Sequence, residues 1–299
     1  MMSQSHLMTT AEVAAYLRVK ERKVYDLVAS NQIPCTRVMG KLLFPKPLID
    51  LWISSGTAGI DKASALAARP TIAAGSHDPL LDWALRESGA KIATLFDGSL
   101  DGLDRFLKRD ALFAGIHVFD PETKDYNRHL LEQAATSIAG IVMIEWAVRN
   151  QGLILPPGNP KQVSALSDLP SKQLVFQDRQ AEAGSQLLFE SLLRAVEIAP
   201  QDVRRTQTVA REETDAATGV LDGAADVAFG IEAVARRFRL DFIPLHEERY
   251  DIVIDRHDYF EPPFQMLLGF AHTERFRENA EALGGYDIRG LGRVVLNAG

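Results

Sequence analysis

The sequence predicts an α/β protein carrying a small helical head, and three observations point there. Residues 71–119 alternate short apolar runs with helix-like segments. The same rhythm returns between residues 172 and 240. Residues 8–53 break from it and read as two short helices joined by a tight turn, followed by a small hairpin and the start of a third helix.

With 299 residues, 46% of them apolar and 24% charged, the chain has material for two or three domains and the composition of an ordinary globular protein. No apolar run reaches membrane-spanning length, and the first residues lack a basic region followed by an apolar stretch. No membrane partner is therefore expected, and a cytoplasmic location is. The single cysteine, Cys35, excludes an internal disulfide and a Cys-rich zinc site, and is expected to be a small buried residue. The net charge of −7 is uneven: residues 1–60 hold seven Lys and Arg against four Asp and Glu, which leaves the head at +3 and the remainder at −10. A basic head on an acidic body suggests that the head alone meets a polyanion.

In the head, Thr9 or Thr10 followed by Glu12 has the form of a capping box, and Val13, Ala14, Tyr16 and Leu17 give one apolar face. The turn Arg18-Val19-Lys20 leads to a second helix patterned by Val24, Leu27 and Val28. "IPCTRVM" and "KLLFP" flank Gly40 as a hairpin, and "PLIDLWI" starts a third helix at a proline. The second helix exposes Glu21, Arg22, Lys23 and Tyr25, while Arg37 and Lys41 sit on the hairpin. These cations are either a solvated face or contacts to phosphates and base edges. Residues 1–54 form the head, and residues 55–70, small and polar, read as a linker.

The body runs through "TIAAG" (71–75), a helix at 79–89, "KIATLF" (91–96), a turn and helix, and "ALFAGIHVF" (111–119), a βαβαβ order that implies parallel strands. The second half holds "KQLVFQ", a turn, the helix "SQLLFESLLRAVEI", the strand "ADVAFG", a helix, one or two strands in "LDFIPLHEERYDIVID", and a late helix. Two such halves with a return crossing make two lobes. Lobe 1 is expected at about 71–140 and 255–299, and lobe 2 at about 141–254. The stretch "AAGSHDPLLDWAL" (73–85) allows two readings: Asp78 caps a helix with Pro79 at its first position, or the helix start, with Ser76 and His77, grips an anion.

The head's T-x-x-E-V-A-x-Y-L opening, V-Y-x-L second helix, I-P hinge, G-K wing tip, F-P and D-x-W-I ending resemble the excisionase/MerR-like winged helix-turn-helix family. That resemblance implies a second helix in the major groove of double-stranded DNA, through Glu21, Arg22, Lys23 and Tyr25, and a wing pressing Arg37 and Lys41 on the backbone. In the body, A-G-S-H-D-P-x-L-D (74–82), F-x-G-S-x-x-G-L (96–103), A-G-I-H-V-F-D-P-E-T-x-x-Y-N (114–127), R-Q-x-x-x-G (179–184), A-D-V-A-F-G-I-E-A-x-A (225–235) and E-E-R-Y-D (247–251) resemble the two-lobed type II periplasmic-binding-protein fold. More narrowly they are similar to the domain of that type in molybdenum-related regulators, a relative of molybdate- and tungstate-binding proteins.

The resemblance implies a ligand in the cleft between lobes, where strands end and helices start. It places Ser76, His77, Ser99 and His117 on one side and Arg179, Gln180, Ser185 and Gln186 on the other. The alternatives are plain: Ser99 as a helix cap, His117 as a satisfied core histidine, and Arg179 paired with Asp178 or Glu182. Glu232 and Tyr250 read more readily as lobe-packing residues. Related domains read R-Q-x-G-S-G-T-R where this chain has R-Q-A-E-A-G-S-Q (179–186). Glu182, Ala183 and Gln186 replace a glycine, a serine and an arginine, which leaves room for a larger or more neutral ligand. No phosphate-loop, dinucleotide, zincin or nucleophile-elbow motif is present, and the seven histidines have no metal-ligand spacing. The expectation is a ligand-responsive transcriptional regulator rather than an enzyme, without a cofactor or metal. Its partners would be DNA and a small anionic ligand, molybdate or tungstate first and a molybdopterin-type compound next, and it would act as a homo-oligomer, a dimer or tetramer. The alternative is a cytosolic carrier or accessory protein of molybdoenzyme maturation whose head binds protein.

Overall fold

The computed structural model describes residues 7–30, 32–38, 41–46, 49, 52–53, 69–135, 140–181 and 183–298, in two units divided between residues 68 and 69. In the first unit, α1 (Thr10–Tyr16) and α2 (Glu21–Ala29) are joined by a turn in which Arg18 takes a positive φ of 55°. Thr9 and Glu12 form the expected capping box, with the Thr9 N–H donating to Glu12 Oε2 at 2.7 Å and the Glu12 N–H to Thr9 Oγ1 at 3.3 Å. The predicted hairpin is β2 (Thr36–Val38) against β3 (Lys41–Pro45), and β1 (Leu7–Met8), which the sequence pattern does not signal, adds a third strand on β3. Val13, Ala14, Val24, Ile33, Phe44 and Ile49 fill the core.

Two expectations fail here. Tyr16 is exposed, because Lys46 Nζ bonds its hydroxyl at 3.3 Å and lies over its ring, which holds the ring on the surface. Cys35 is exposed too, since Ile33 takes the core position two residues before it. The wing-tip Gly40, much of the expected third helix and nearly all of the linker lie outside the described residues.

The second unit is built on β4 (Ile72–Gly75), β5 (Ala93–Leu95) and β6 (Phe113–Ile116), parallel strands in the order β5-β4-β6. The helices α3 (Pro79–Glu87) and α4 (Ser99–Leu107) follow the first two. Helix α4 lies directly on the end of β4: a Cβ on Gly102 would fall 2.1 Å from the Gly75 Cα. Gly75 itself has φ +112° and approaches Gly115 so closely that a Cβ would meet its carbonyl oxygen at 2.1 Å. The chain therefore leaves β4 through a turn only glycine can make.

The frame of the unit is two fifteen-residue strands, β9 (Ile141–Leu155) and β13 (Asp241–Asp255), antiparallel along nearly their full length. At about 3.3 Å per residue each is near 50 Å long, enough to run through both lobes. Lobe 1 pairs the C-terminal part of β13 with β6, and the N-terminal part of β9 with β14 (Tyr286–Asp287) and β15 (Val294–Ala298). Lobe 2 pairs β12 (Ala228–Ile231) with residues 151–154 of β9. Asn150 and Glu247 face each other in the register, between the pairings of β9 with β12 on one side and of β13 with β6 on the other. The "one or two strands" of 241–255 are one, with register shifts at Pro244/His246 and Tyr250/Asp251. In lobe 2, β10 (Val175–Phe176) and β11 (Arg204–Arg205) extend the layer, and α7 (Gly184–Ala195) covers it; the intervening helices are α5 (Arg128–Ala135) and α6 (Asp168–Ser171). Lobe 1 packs around Leu81, Phe113, Trp146, Ile252 and Phe264, and lobe 2 around Leu153, Phe176, Phe189 and Phe229.

A short hairpin, β7 (Phe119–Asp120) and β8 (Asp125–Tyr126), hangs from the end of β6 and is fixed by Asn127. Asn127 has φ +64°, accepts from the Val118 N–H at 2.6 Å, and donates to Ile116 O at 3.2 Å and Asp251 Oδ2 at 2.8 Å. Burial pushes the Asp251 carboxyl up to about 6 from 3.8, Arg249 and Asn127 pulling the other way and Glu145 adding to the rise. A carboxyl whose folded pKa is raised contributes stability below its unfolded value, and this is lost as pH rises through about 6. Denaturant unfolding is expected to show about 2 kcal/mol more stability from this group at pH 4.5 than at pH 7. The Asp251→Asn variant should lose that difference, and an unaltered pH profile in the variant would refute it.

Candidate functional site: the cleft at His117

The first helix of lobe 1 starts as a capping argument demands. Asp78 Oδ1 accepts from the Leu81 N–H at 2.7 Å, and Pro79 takes the first helical position. Its other oxygen does more: Asp78 Oδ2 accepts from Arg149 Nη1 at 2.9 Å and from Tyr286 Oη at 2.7 Å. Arg149, on β9, is 1% exposed. It donates through Nε to Glu248 Oε1 at 3.0 Å, pairs through Nη2 with the same oxygen, and lies 4.5 Å over the Tyr250 ring. Glu248, fully buried on β13, stands opposite Arg149 in the register. It accepts from Gln151 Nε2 at 3.0 and 3.1 Å and meets His117 Nδ1 at 2.6 Å. Burial alone would raise the Glu248 carboxyl, but Arg149, His117 and Gln151 outweigh it and hold it at about 2. The Arg149 guanidinium is correspondingly pushed up by Glu248 and Asp78 against the effect of burial. Burial raises Tyr250 and Tyr286.

His117 lies just beyond β6 and is 1% exposed. Its Nε2 is 2.8 Å from Ser76 Oγ, and its backbone N–H donates to Ser99 Oγ at 3.2 Å. The Ser76 backbone is pinned at both ends, its N–H donating to Gly115 O at 2.9 Å and its carbonyl accepting from Tyr250 Oη at 2.6 Å. Across the cleft, Gly184 opens α7 against this group: a Cβ there would come within 2.7 Å of His117 Cε1. Among the described residues neither α4 nor α7 has a side-chain cap, and both helix starts lie against His117, α4 through Ser99 and α7 through Gly184. Ser99 is therefore not the cap of α4; Gly98 holds that position and Ser99 turns its oxygen to His117.

Ser76, Ser99 and His117 are thus brought together, with Gly184 at the start of α7 against them. Among the described residues, Ser185 Oγ is buried without a hydrogen-bond partner, as are His77 Nδ1, Gln151 Oε1 and Gln186 Oε1. His77 sits beside Ser76, edge-on to Phe96 at 5.8 Å. Gln186 Nε2 bonds Glu190 Oε1 at 3.2 Å. Gln180 is half-buried, with its carbonyl holding the Ala183 N–H at 3.0 Å. Arg179 does not pair with Asp178, which is taken by Arg205 at 2.5 Å. Its Nη1 meets the buried Glu213 at 2.9 Å and its Nη2 donates to Arg211 O, while its Nε is left without a partner. Glu182 lies outside the described residues. In the head, Glu21, Arg22, Lys23, Tyr25 and Lys41 are exposed, and Arg37 is placed only by its backbone in β2.

Sequence reasoning missed Arg149, Gln151, Glu248 and Tyr286. The available signal was a pair of charges, Arg149 and Glu248, inside otherwise apolar runs. Among the described residues no cluster of His, Cys, Asp and Glu is placed to hold a metal ion. A cavity of about 620 Å³ opens elsewhere, along α12 (Glu274–Leu283) and the 286–291 turn. Its cations Arg277 and Arg289 are paired by Glu274 and Asp287, and no unpartnered buried polar side chain lines it.

This body, in which the starts of α4 and α7 both lie against His117, has the form of a ligand-binding domain. The family model described as a PBP superfamily domain matches residues 83–272, and the chain belongs to that superfamily. A second model, a helix-turn-helix domain, matches residues 7–57. The chain therefore has the architecture of a DNA-binding regulator with a ligand-binding domain. It is 25% identical to the uncharacterized protein YvgK of Bacillus subtilis (strain 168) over 99% of both chains. It is also 32% identical, over 36% of its own length and 97% of the relative's, to an uncharacterized protein of Clostridium pasteurianum named for the 5′ region of a 2Fe-2S ferredoxin gene. Among solved structures, a phosphate-bound putative phosphate ABC transporter substrate-binding protein of Clostridium perfringens covers 71% of this chain and 96% of its own, at 11% identity and TM-score 0.53. The tungstate ABC transporter structure of Geobacter sulfurreducens covers 71% and 97%, at 12% identity and TM-score 0.51. The sulfate-binding protein SubI of Mycobacterium tuberculosis H37Rv covers 73% and 85%, at 11% identity and TM-score 0.51. These likenesses establish the fold.

Arg149→Met keeps the side-chain bulk but strands Asp78 and Glu248 in the interior. Removing one partner of a buried ion pair costs about 3–5 kcal/mol, which lowers the melting temperature on the order of 10 °C. A melting temperature within about 2 °C of wild type would show that the cluster is hydrated rather than sealed.

Proposed function

We propose that the chain is a DNA-binding transcriptional regulator whose body closes on a small tetrahedral oxyanion, molybdate or tungstate first. The observation that carries this reading is the meeting of two uncapped helix starts, α4 and α7, at His117. Ser76, Ser99 and Ser185 add hydroxyls to the backbone N–H groups. The two buried arginines nearby, Arg149 and Arg179, are already paired with carboxylates, so the site holds an anion by dipoles and hydrogen bonds. Fold neighbours named for phosphate, tungstate and sulfate support the same ligand class. One observation favours a second ligand, a molybdopterin-type compound: the unpartnered acceptors Gln151 Oε1 and Gln186 Oε1 call for donors, which a dianion lacks and a pterin ring supplies.

A thermal-shift titration with molybdate, tungstate, sulfate and phosphate tests the site. Saturation at 100 times Kd adds about 2.7 kcal/mol, a plain rise in melting temperature. Gly184→Val, whose side chain must strike His117, should abolish the rise without unfolding the open protein. Silence of the wild type toward all four anions would turn the reading to the pterin class.

In the head, Arg22 and Lys23 would reach for phosphates or guanine edges, and the hairpin that carries Arg37 and Lys41 would serve as the wing. Six or so phosphate contacts from one small head bind weakly, so a dimer or tetramer that pairs heads is part of this proposal. Arg22→Ala with Lys23→Ala is expected to weaken DNA binding and reduce the slope of log affinity against log salt by about 2. Unchanged binding by the double variant would place the DNA elsewhere and favour a head that binds protein.

A further inference from the structure

We propose that the β7–β8 hairpin is a strap between the lobes: anchored in lobe 1, it seats Phe119 against the apolar core of lobe 2 and biases the body toward its closed form before any ligand arrives. The strap acts whatever the cleft binds, and its test needs no ligand.

The anchor belongs to lobe 1. The hairpin follows β6, and its base is tied by the Asn127 N–H, which donates to Val118 O at 2.9 Å, and by the Asn127 side chain on Val118, Ile116 and Asp251. Arg249, on β13, holds the returning strand. Its Nη1 donates to Asp125 Oδ1 at 2.7 Å, its Nη2 to Tyr126 O at 2.8 Å, and its Nε to Asp251 at 3.0 Å. The turn is fixed as well: Asp120 accepts from the Glu122 N–H at 3.0 Å and from Thr123 Oγ1 at 2.8 Å. A hairpin closed at both ends moves as one piece with β6 and β13.

The seat belongs to lobe 2. Phe119, half-buried, packs against the cluster that holds Leu153, Phe176, Leu188, Phe189 and Phe229. Of the side chains in or on that cluster, Phe119 is the one that comes from outside lobe 2 among the described residues. Its strand touches α7. Tyr126 flanks the Phe119 ring at 5.3 Å and His246 meets it edge-on at 5.2 Å. Burial lowers the His246 imidazole below its ordinary range, Glu248 and Glu247 pulling the other way, so an uncharged ring completes the seat. His246 also borders the register shift of β13 at Pro244/His246. A swing of lobe 2 away from lobe 1 would withdraw Phe119 and expose apolar surface on both sides, which disfavours the open form. The larger the closed fraction before binding, the less of a ligand's affinity is lost to closing the lobes.

Pulsed electron–electron resonance on the unliganded full chain tests the strap. Cys35→Ser removes the exposed native thiol, and spin labels on Glu278→Cys in α12 and Gln201→Cys in lobe 2 report the separation of the lobes. This parent should show one dominant separation. Phe119→Ala gives up apolar contact worth about tenfold in the closed-to-open ratio, so a second, longer separation should appear. Phe119→Leu, which keeps apolar bulk, should stay with the parent. His246→Ala, which opens one wall of the seat, should shift the distances as Phe119→Ala does, and it decides the matter if Phe119→Ala does not fold, as judged by its melting curve. Distances unchanged from the parent in the folded alanine variants overturn the strap, as does a parent that is already open.

Discussion

The buried cross-strand pair of Arg149 and Glu248 is the interaction on which the rest of the second unit depends. It sits where β9 and β13 cross from one lobe to the other, and it reaches the start of α3 through Asp78 and the 286–291 turn through Tyr286. Two charges sealed from water are costly, and a well-packed apolar pair would give comparable stability or more. What the pair secures is placement. Strand side chains alternate faces, so a slip of one residue between β9 and β13 would send Arg149 or Glu248 to the opposite side and leave the other uncompensated. Two fifteen-residue strands of mostly apolar residues could pair in several registers, and this charge pair makes one of them far cheaper than its neighbours.

The same cluster would allow the proposed anion site to stand beside two carboxylates. Asp78 and Glu248 point their oxygens at Arg149, Gln151, Tyr286 and His117, so their charge is spent on the frame. The face turned to the cleft consists of hydroxyls, ring nitrogens and helix starts. A site of that kind is selective through geometry: fixed donors reward a ligand that matches their spacing, whereas a bare guanidinium attracts any anion. The pairing of Arg179 with Glu213 serves the same end: a carboxylate meets the guanidinium's charge, although its Nε and Nη1 make no hydrogen bond among the described residues.

The parallel β5-β4-β6 core, the capped start of α3, the head's hairpin and the turn before α7 were legible in the sequence because each is local. A run of apolar residues, an Asp-Pro pair or a small-residue turn carries its own signal within ten residues. The frame was not legible. Residues 141–155 were passed over because Glu145, Arg149, Asn150 and Gln151 interrupt the apolar run, and only their partners on β13, near residue 248, make a strand of them. The resemblance places Arg179 at the cleft, where an unpaired arginine would attract anions. Its partner Glu213 lies more than thirty residues on and no spacing rule links them. Ser76 and His117 were found by their places at strand ends, but their bond to each other, and the glycine that meets His117 from lobe 2, belong to the tertiary fold alone.

Signal transfer to the head is constrained by where the body's chain begins. Arg69, the first residue of the second unit, is buried in lobe 1: its guanidinium reaches Ala111 O at 3.2 Å and Asp258 at 3.2 Å, and lies over the Phe106 ring. The tether to the head therefore leaves from lobe 1, and lobe 1 also supplies Ser76, Ser99 and His117. Lobe 2 contributes Gly184 and Ser185 and has no covalent link to the head except through β9 and β13. Gly184 already lies against His117 in this structure, so in the proposed regulator a ligand would act by holding lobe 2 in this place relative to the tether, and bending between the lobes would fall near the register shifts at Pro244/His246 and Tyr250/Asp251. For that movement to act as a switch the ligand must bind the closed form more tightly than the open one, by about 10⁴ to carry the population from one extreme to the other. Contacts made by only one lobe bind both forms alike and shift nothing. The discriminating contacts must be those that exist only on closure, and in the proposed site they would come from the start of α7, where Gly184 abuts His117.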